Sequence, residues 1–197
     1  MHIVKLLATV FSLLFSITAF AAGPQVEIKT NLGNILLELY PDKAPKTVEN
    51  FLQYVKEGHY KSTVFHRVIP GFMIQGGGLD KALRQKSTRP PIENEAANGL
   101  KNNIGTIAMA RTSDPHSASA QFFINVADNA FLNYSAPTDR GYGYTVFGKV
   151  TGGMEIVNKI AATPTGPGDV PREAIVIEEI RLISTAEPAP ATEQPAK

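Results

Sequence analysis

The sequence predicts a mainly β protein, an antiparallel barrel closed or nearly closed, with two helices packed outside it. Three observations lead there. Extended apolar runs outnumber helical patterns, their spacing is irregular, and the two convincing helices do not alternate with strands as parallel βαβ units require. No internal repeat of fixed period is present.

The first element lies outside that fold. Met1 to Lys5 carries one Lys and no acid, Leu6 to Phe20 is an unbroken run of apolar and small hydroxyl residues, and Ala19-Phe20-Ala21 is a small-x-small cleavage pattern. These are the three parts of a secretory signal peptide, residues 1–21, cut after Ala21 or, as a near alternative, after Ala22. As a helix the apolar run would span about 22 Å, short of a hydrocarbon core of ~30 Å, so an uncleaved anchor is the weaker reading.

A domain of residues 22–183 follows. Val26 to Thr30 alternates apolar and polar, Asn31-Leu32-Gly33 turns, and Asn34 to Leu39 resumes an extended run, which predicts a β-hairpin. Pro45 suits a first helical turn, and Val48, Phe51, Leu52 and Val55 recur at helical spacing until Gly58. Thr63 to Ile69 and Phe72 to Gln75 predict two strand pieces joined by a kink at Pro70-Gly71, with Gly76-Gly77-Gly78 turning the chain after them. Leu79 to Lys101 is polar and reads as a long surface excursion. Strands resume at Gly105 to Ala110, Gln121 to Asn125, Tyr144 to Val150 and Ala174 to Ile183, with a second helix over Met154 to Ala161 whose stripe is Ile156, Val157 and Ile160. The tail, residues 184–197, has three prolines and no large apolar side chain, the composition of a disordered segment.

Composition removes several functions. With 19 Lys+Arg against 18 Asp+Glu and no basic run, there is no electrostatic footprint for nucleic acid. Zero cysteine excludes disulfide frameworks, thiolate nucleophiles and Cys-ligated zinc, so an exported domain of this size is held by its core alone. His59, His66 and His116 sit at no metal-ligand spacing, and no Gly-x-Ser-x-Gly elbow occurs. Neither a metal nor another cofactor is expected. Tyr142 and Tyr144 flank Gly143 as a conceivable stacking pair, although ordinary strand packing is the stronger reading.

One block resists a purely structural account. Arg67 stands in the apolar strand Phe65-His66-Arg67-Val68-Ile69, where a guanidinium needs either a partner or an edge position facing water. Gln75, Gln121 and Asn125 are amides set among aromatic and aliphatic residues, with Gln121 and Phe123 on one face by the two-residue period. Met73, Phe123 and Phe131 supply apolar walls beside these few polar groups, the composition of a ligand site.

The block Phe65-His66-Arg67-Val68-Ile69-Pro70-Gly71-Phe72-Met73-Ile74-Gln75-Gly76-Gly77 resembles the signature of the cyclophilin-type peptidyl-prolyl cis-trans isomerases. Gly105 to Ala110, Gln121 to Ile124 and Val146 to Val150 match further family segments in the same order, over about Gln25 to Ile183. With the leader and the Asn94 to Leu100 stretch, the chain is most similar to bacterial periplasmic members. The resemblance implies an eight-stranded closed barrel, no cofactor, a monomer in the periplasm, and action on Xaa-Pro bonds of unfolded or flexible polypeptides, assisting their folding. It implies that Arg67 is the catalytic arginine, that Phe72, Met73, Phe123 and Leu132 wall the proline pocket, that Gln75 and Gln121 meet the substrate backbone, and that Ala110 offers its own backbone to the peptide. Phe131 stands where cyclosporin-sensitive members have Trp, which removes an indole donor and counts against tight cyclosporin binding. The segment Asn133 to Gly143 is longer than in the short eukaryotic form, and Tyr144 falls where those members have His. The competing class is a non-catalytic peptide-binding chaperone, which has no need to keep Arg67 together with the pocket walls.

Overall fold

The structure is a computed structural model that describes residues 23–184. The expected leader, and all of the expected tail after Ser184, fall outside the described residues. Eight strands form a closed antiparallel barrel: β1 (Gln25–Thr30), β2 (Gly33–Leu39), β3 (Thr63–Ile69), β4 (Met73–Asp80), β5 (Thr106–Met109), β6 (Phe122–Asn125), β7 (Val146–Gly152) and β8 (Val176–Ser184). The order around it is β1-β2-β7-β5-β6-β4-β3-β8. Helices α1 (Pro45–Lys56) and α2 (Met154–Ala161) pack against it, and short 3-10 turns lie at Ala96–Asn98, Ala130–Leu132 and Pro167–Asp169.

The strands show why apolar runs rather than simple alternation marked them. Along β6, Phe122 and Ile124 point into the barrel interior while Phe123 points to its outer wall; β4 divides Ile74 from Met73, and β7 divides Phe147 from Val146 in the same way. Both faces are apolar because each is buried. The interior holds Val26, Ile28, Ile35, Leu37, Phe65 and Ile107, and helix residues Phe51, Val157 and Ile160 complete it. Phe51, Tyr60 and Phe65 surround Phe122 at ring-centroid distances of 5.8, 5.6 and 6.1 Å, all near edge-to-face.

Two details depart from the sequence-based expectation. The helical stripe of α1 is rotated: Tyr54 is buried beside Val48 and Phe51, while Leu52 and Val55 are half-buried. A tyrosine is tolerated there because its hydroxyl accepts the Arg89 N–H at 2.7 Å. The run Gly76-Gly77-Gly78 does not turn the chain but lies inside β4. A Cβ on Gly77, which has φ 86°, would stand 2.8 Å from the Phe122 ring, and one on Gly78 would stand 2.3 Å from Gln121. The glycines therefore admit neighbouring side chains against the strand, a use of glycine within strands distinct from turning.

Among the described residues, two imidazole nitrogens, Nε2 of His59 and Nδ1 of His66, are buried without a hydrogen-bond partner. Burial holds both histidines below their ordinary pKa, with the Lys86 charge adding to the effect at His59 and Arg67 at His66. Below about pH 6.5 the unfolded chain therefore takes up protons that the folded barrel resists, so their contribution is intact above that pH and is lost as pH falls. The urea midpoint is expected to drop between pH 7 and 5. A midpoint constant over that range would contradict the reading.

Candidate active site

The outer-wall residues Met73, Ala108, Phe123 and Val146 of β4, β5, β6 and β7 form a second apolar cluster with Leu132 of the 3-10 turn Ala130–Leu132, and Ile69, Phe72, Ala110 and Tyr144 pack on it. Above it opens a cavity of about 260 Å³ lined by Arg67, Phe72, Met73, Gln75, Ala110, Arg111, Phe123, Leu132 and Tyr144. Larger depressions of about 770 and 500 Å³ are walled mainly by charged and polar residues, and one of about 700 Å³ between α1 and β8 has apolar walls of Val48, Leu52, Val55, Ile180 and Leu182 but shares no residue with the Arg67 cavity.

Arg67 reaches the cavity through an irregularity in its strand. Phe65 pairs with Gly76 of β4 and Arg67 pairs with Gln75, so β3 spends two residues where β4 spends one. That extra residue is why Phe65 and Val68, three apart, both face the interior, and why Arg67 turns to the outer wall. β3 lies between β4 and β8 in the closed barrel, but its ladder with β8 covers only Thr63 and Val64, so Arg67 stands on a stretch unpaired on that side, facing water and the cavity together. Its side chain is 44% exposed, and its Nε donates to Oδ2 of Asp169 at 3.3 Å.

Arg111 apart, the rest of the rim is neutral, and its two amides are hydrogen-bonded to each other. Gln75 donates through Nε2 to Oε1 of Gln121 at 3.0 Å. Gln121 itself precedes β6 and lines an adjoining cavity of about 180 Å³ that shares Gln75, Ala110 and Arg111 with the first. Its carbonyl accepts the Ala110 N–H at 3.0 Å. Phe131, 75% exposed on its 3-10 turn, stacks on Phe72 with centroids 5.5 Å apart. It flanks the cavity and is absent from its lining. Tyr144 meets Phe123 edge-on at 5.7 Å. Tyr142 packs instead against His116 and Tyr134, so the two tyrosines do not stack on each other.

Below the walls runs a network of buried asparagines. Asn125 donates to Asn102 at 3.2 Å and to Thr106 Oγ1 at 2.9 Å, and Asn129 donates to Asn125 Oδ1 at 2.7 Å and to the Phe72 carbonyl at 2.9 Å. Asn102 in turn donates to the carbonyls of Leu132 and Tyr144. Amides suit this place because they satisfy backbone carbonyls at the groove's base without burying charge.

Two residues of the site were not legible in sequence. Arg111 follows β5 in a loop; its guanidinium lies 4.7 Å over the Tyr144 ring and its Nε donates to the Gly143 carbonyl at 2.9 Å. Asp169 sits in a Pro/Gly loop 102 residues beyond Arg67. The sequence marks Arg111 by nothing but a charge beside Ala110.

Fold and groove together define a class: a closed barrel that presents on its outer wall an apolar pocket rimmed by amides and the guanidinium groups of Arg67 and Arg111. Comparison with known proteins narrows it. The profile of the family described as "Cyclophilin type peptidyl-prolyl cis-trans isomerase/CLD" matches residues 25–182. Peptidyl-prolyl cis-trans isomerase cyp18 of Streptomyces antibioticus is 57% identical over 162 residues, 80% of this chain and 98% of that protein. Peptidyl-prolyl cis-trans isomerase B of Escherichia coli is 55% identical over 161 residues, again 80% of this chain and 98% of that protein. A crystal structure of a Cryptosporidium parvum cyclophilin-type isomerase superposes with a TM-score of 0.69 at 31% identity, covering 82% of this chain and 98% of that one. The chain belongs to the cyclophilin-type peptidyl-prolyl cis-trans isomerase family.

Proposed function

We propose that this isomerase accelerates rotation about Xaa-Pro bonds in exported polypeptides, with Arg67 as the catalytic donor and the 260 Å³ cavity as the prolyl pocket. The observation that carries the reading is the juxtaposition of the Arg67 guanidinium with a floor of Met73, Phe123 and Leu132. A second solved structure of the Cryptosporidium parvum relative, 32% identical, was obtained in the presence of the dipeptide Ala-Pro.

The chemistry needs little more. A peptide bond resists rotation because resonance gives C–N partial double-bond character, a barrier of ~18–20 kcal/mol, and an Xaa-Pro bond left alone takes tens to hundreds of seconds. As the bond twists, the prolyl nitrogen becomes pyramidal and its lone pair accepts a hydrogen bond that the planar amide cannot. A donor at that point stabilises the twisted state alone. The apolar pocket holds the ring while Gln75 and the backbone near Ala110 hold the flanking chain, so one side of the bond turns against the other. No proton, electron or covalent bond changes hands. Every group comes from one chain, so a monomer suffices.

The export part of the reading rests on the leader pattern of residues 1–21. A protease-coupled assay on a proline peptide tests the activity, and cell fractionation tests the periplasmic location. Absence of acceleration at micromolar protein, or retention of the chain in the cytosol, would overturn the corresponding part.

A further inference from the structure

We infer that Asp169 is a positioning residue for Arg67, holding the guanidinium by its inner nitrogen so that its two outer nitrogens face the substrate. The inference rests on the reading of Arg67 as the donor to the prolyl nitrogen. Among the described residues, the only hydrogen bond of the Arg67 side chain is the one from Nε to Asp169 Oδ2, at 3.3 Å. Gln75, directly opposite Arg67 across β3 and β4, gives its amide N–H to Gln121 instead. A guanidinium has five N–H donors in a rigid fork, and engaging Nε leaves the four on Nη1 and Nη2 for a ligand. A carboxylate gripping the outer edge would consume the very donors that the reaction uses.

The loop carrying Asp169 is built to a degree its packing does not explain. The 3-10 turn Pro167–Asp169 contains no buried residue, so it adds nothing to the core. Yet it is braced: Gly166 N–H donates to the Val170 carbonyl at 2.8 Å, Arg172 N–H donates to that of Pro164 at 3.0 Å, and Thr165 and Pro171 form an isolated bridge. Pro164, Pro167 and Pro171 restrict the backbone further. Gly168 and Asp169 are both left-handed, with φ 73° and 62°. A non-glycine residue in that region is uncommon, and strain of this kind gathers where a side chain must be aimed. Here the aim is the Arg67 guanidinium. The ion pair is half-exposed on both sides, so it adds little to stability and its value is orientation.

The test compares Asp169→Asn and Asp169→Gly, both of which tolerate the left-handed backbone. Removing the charge, or the whole acceptor, is expected to lower kcat/KM about tenfold, because a guanidinium free to wander spends less time in the reacting geometry. The affinity for a proline-containing tetrapeptide, measured by NMR titration, should be unchanged, and the Arg67 Nε–H resonance should move. In an Arg67→Ala background the same Asp169 changes should have no further effect. Full activity of both Asp169 variants beside an impaired Arg67→Ala, or the same fold loss in the Arg67→Ala background, would overturn this inference alone. Full activity of Arg67→Ala would overturn the reading beneath it as well.

Discussion

Replacing Arg67 with alanine is expected to lower kcat/KM by about 10²–10³-fold, the loss typical of removing one preorganised donor from a transition state. Peptide binding should weaken far less, because Met73, Phe123 and Leu132 remain to hold the ring. Far-UV CD and the urea midpoint should be preserved: the side chain is half-exposed, and the ion pair it leaves is of a surface kind that contributes about 0–1 kcal/mol. Arg67→Lys should recover only part of the loss, since an ammonium cannot be held at one nitrogen while donating from two others. A guanidinium keeps its charge over the accessible range, so the wild-type rate should be flat from about pH 6 to 9. A bell-shaped profile would point to a titrating acid or base, and full activity of Arg67→Ala would remove Arg67 from the mechanism.

The largest stability effect is expected at Phe122, next in sequence to a groove residue and on the opposite face of the same strand. Phe122→Ala should cost about 3–5 kcal/mol, the range for deleting a buried aromatic ring. Phe122 is fully buried and its ring meets Phe51, Tyr60 and Phe65, side chains from α1, β3 and the segment between them. The space left cannot close, because the three rings are held by separate elements. Gly77 adds to this, since its missing side chain is what brings the strand against the Phe122 ring. Equilibrium urea unfolding measures the cost, and a loss below about 1 kcal/mol would show that the site collapses. Protein that remains folded should retain its peptide affinity, as Phe123 still forms the groove floor.

Sequence periodicity carried the elements whose burial is one-sided or complete. Helix α2 runs over Met154–Ala161 as predicted, and the first hairpin turns between Thr30 and Gly33. Where the reading departs from the structure, the cause is a competing local demand. The glycines of β4 read as a turn because their purpose, admitting Phe122 and Gln121, belongs to other strands. The position of Arg67 depends on a one-residue slip between β3 and β4, and a strand's own text does not say where its partner falls out of step. Eight of the predicted site residues line one cavity, with Gln121 in the adjoining cavity and Phe131 stacked at the rim. Six of those eight lie in segments that the family resemblance made recognisable, and Leu132 and Tyr144 lie outside them. Arg111 and Asp169 escaped because each belongs to a loop and acts on a residue far away in sequence.

The division of apolar side chains between interior and outer wall has one further consequence. With Phe51, Phe65, Phe122 and Phe147 filling the barrel, nothing passes through it, and the groove lies along its flank. A polypeptide therefore meets this catalyst sideways. It needs no free terminus to thread, and a proline midway along a chain or in an exposed loop is as reachable as one near an end. Between one proline and the next the enzyme has no door to reopen and the client has nothing to be pulled out of.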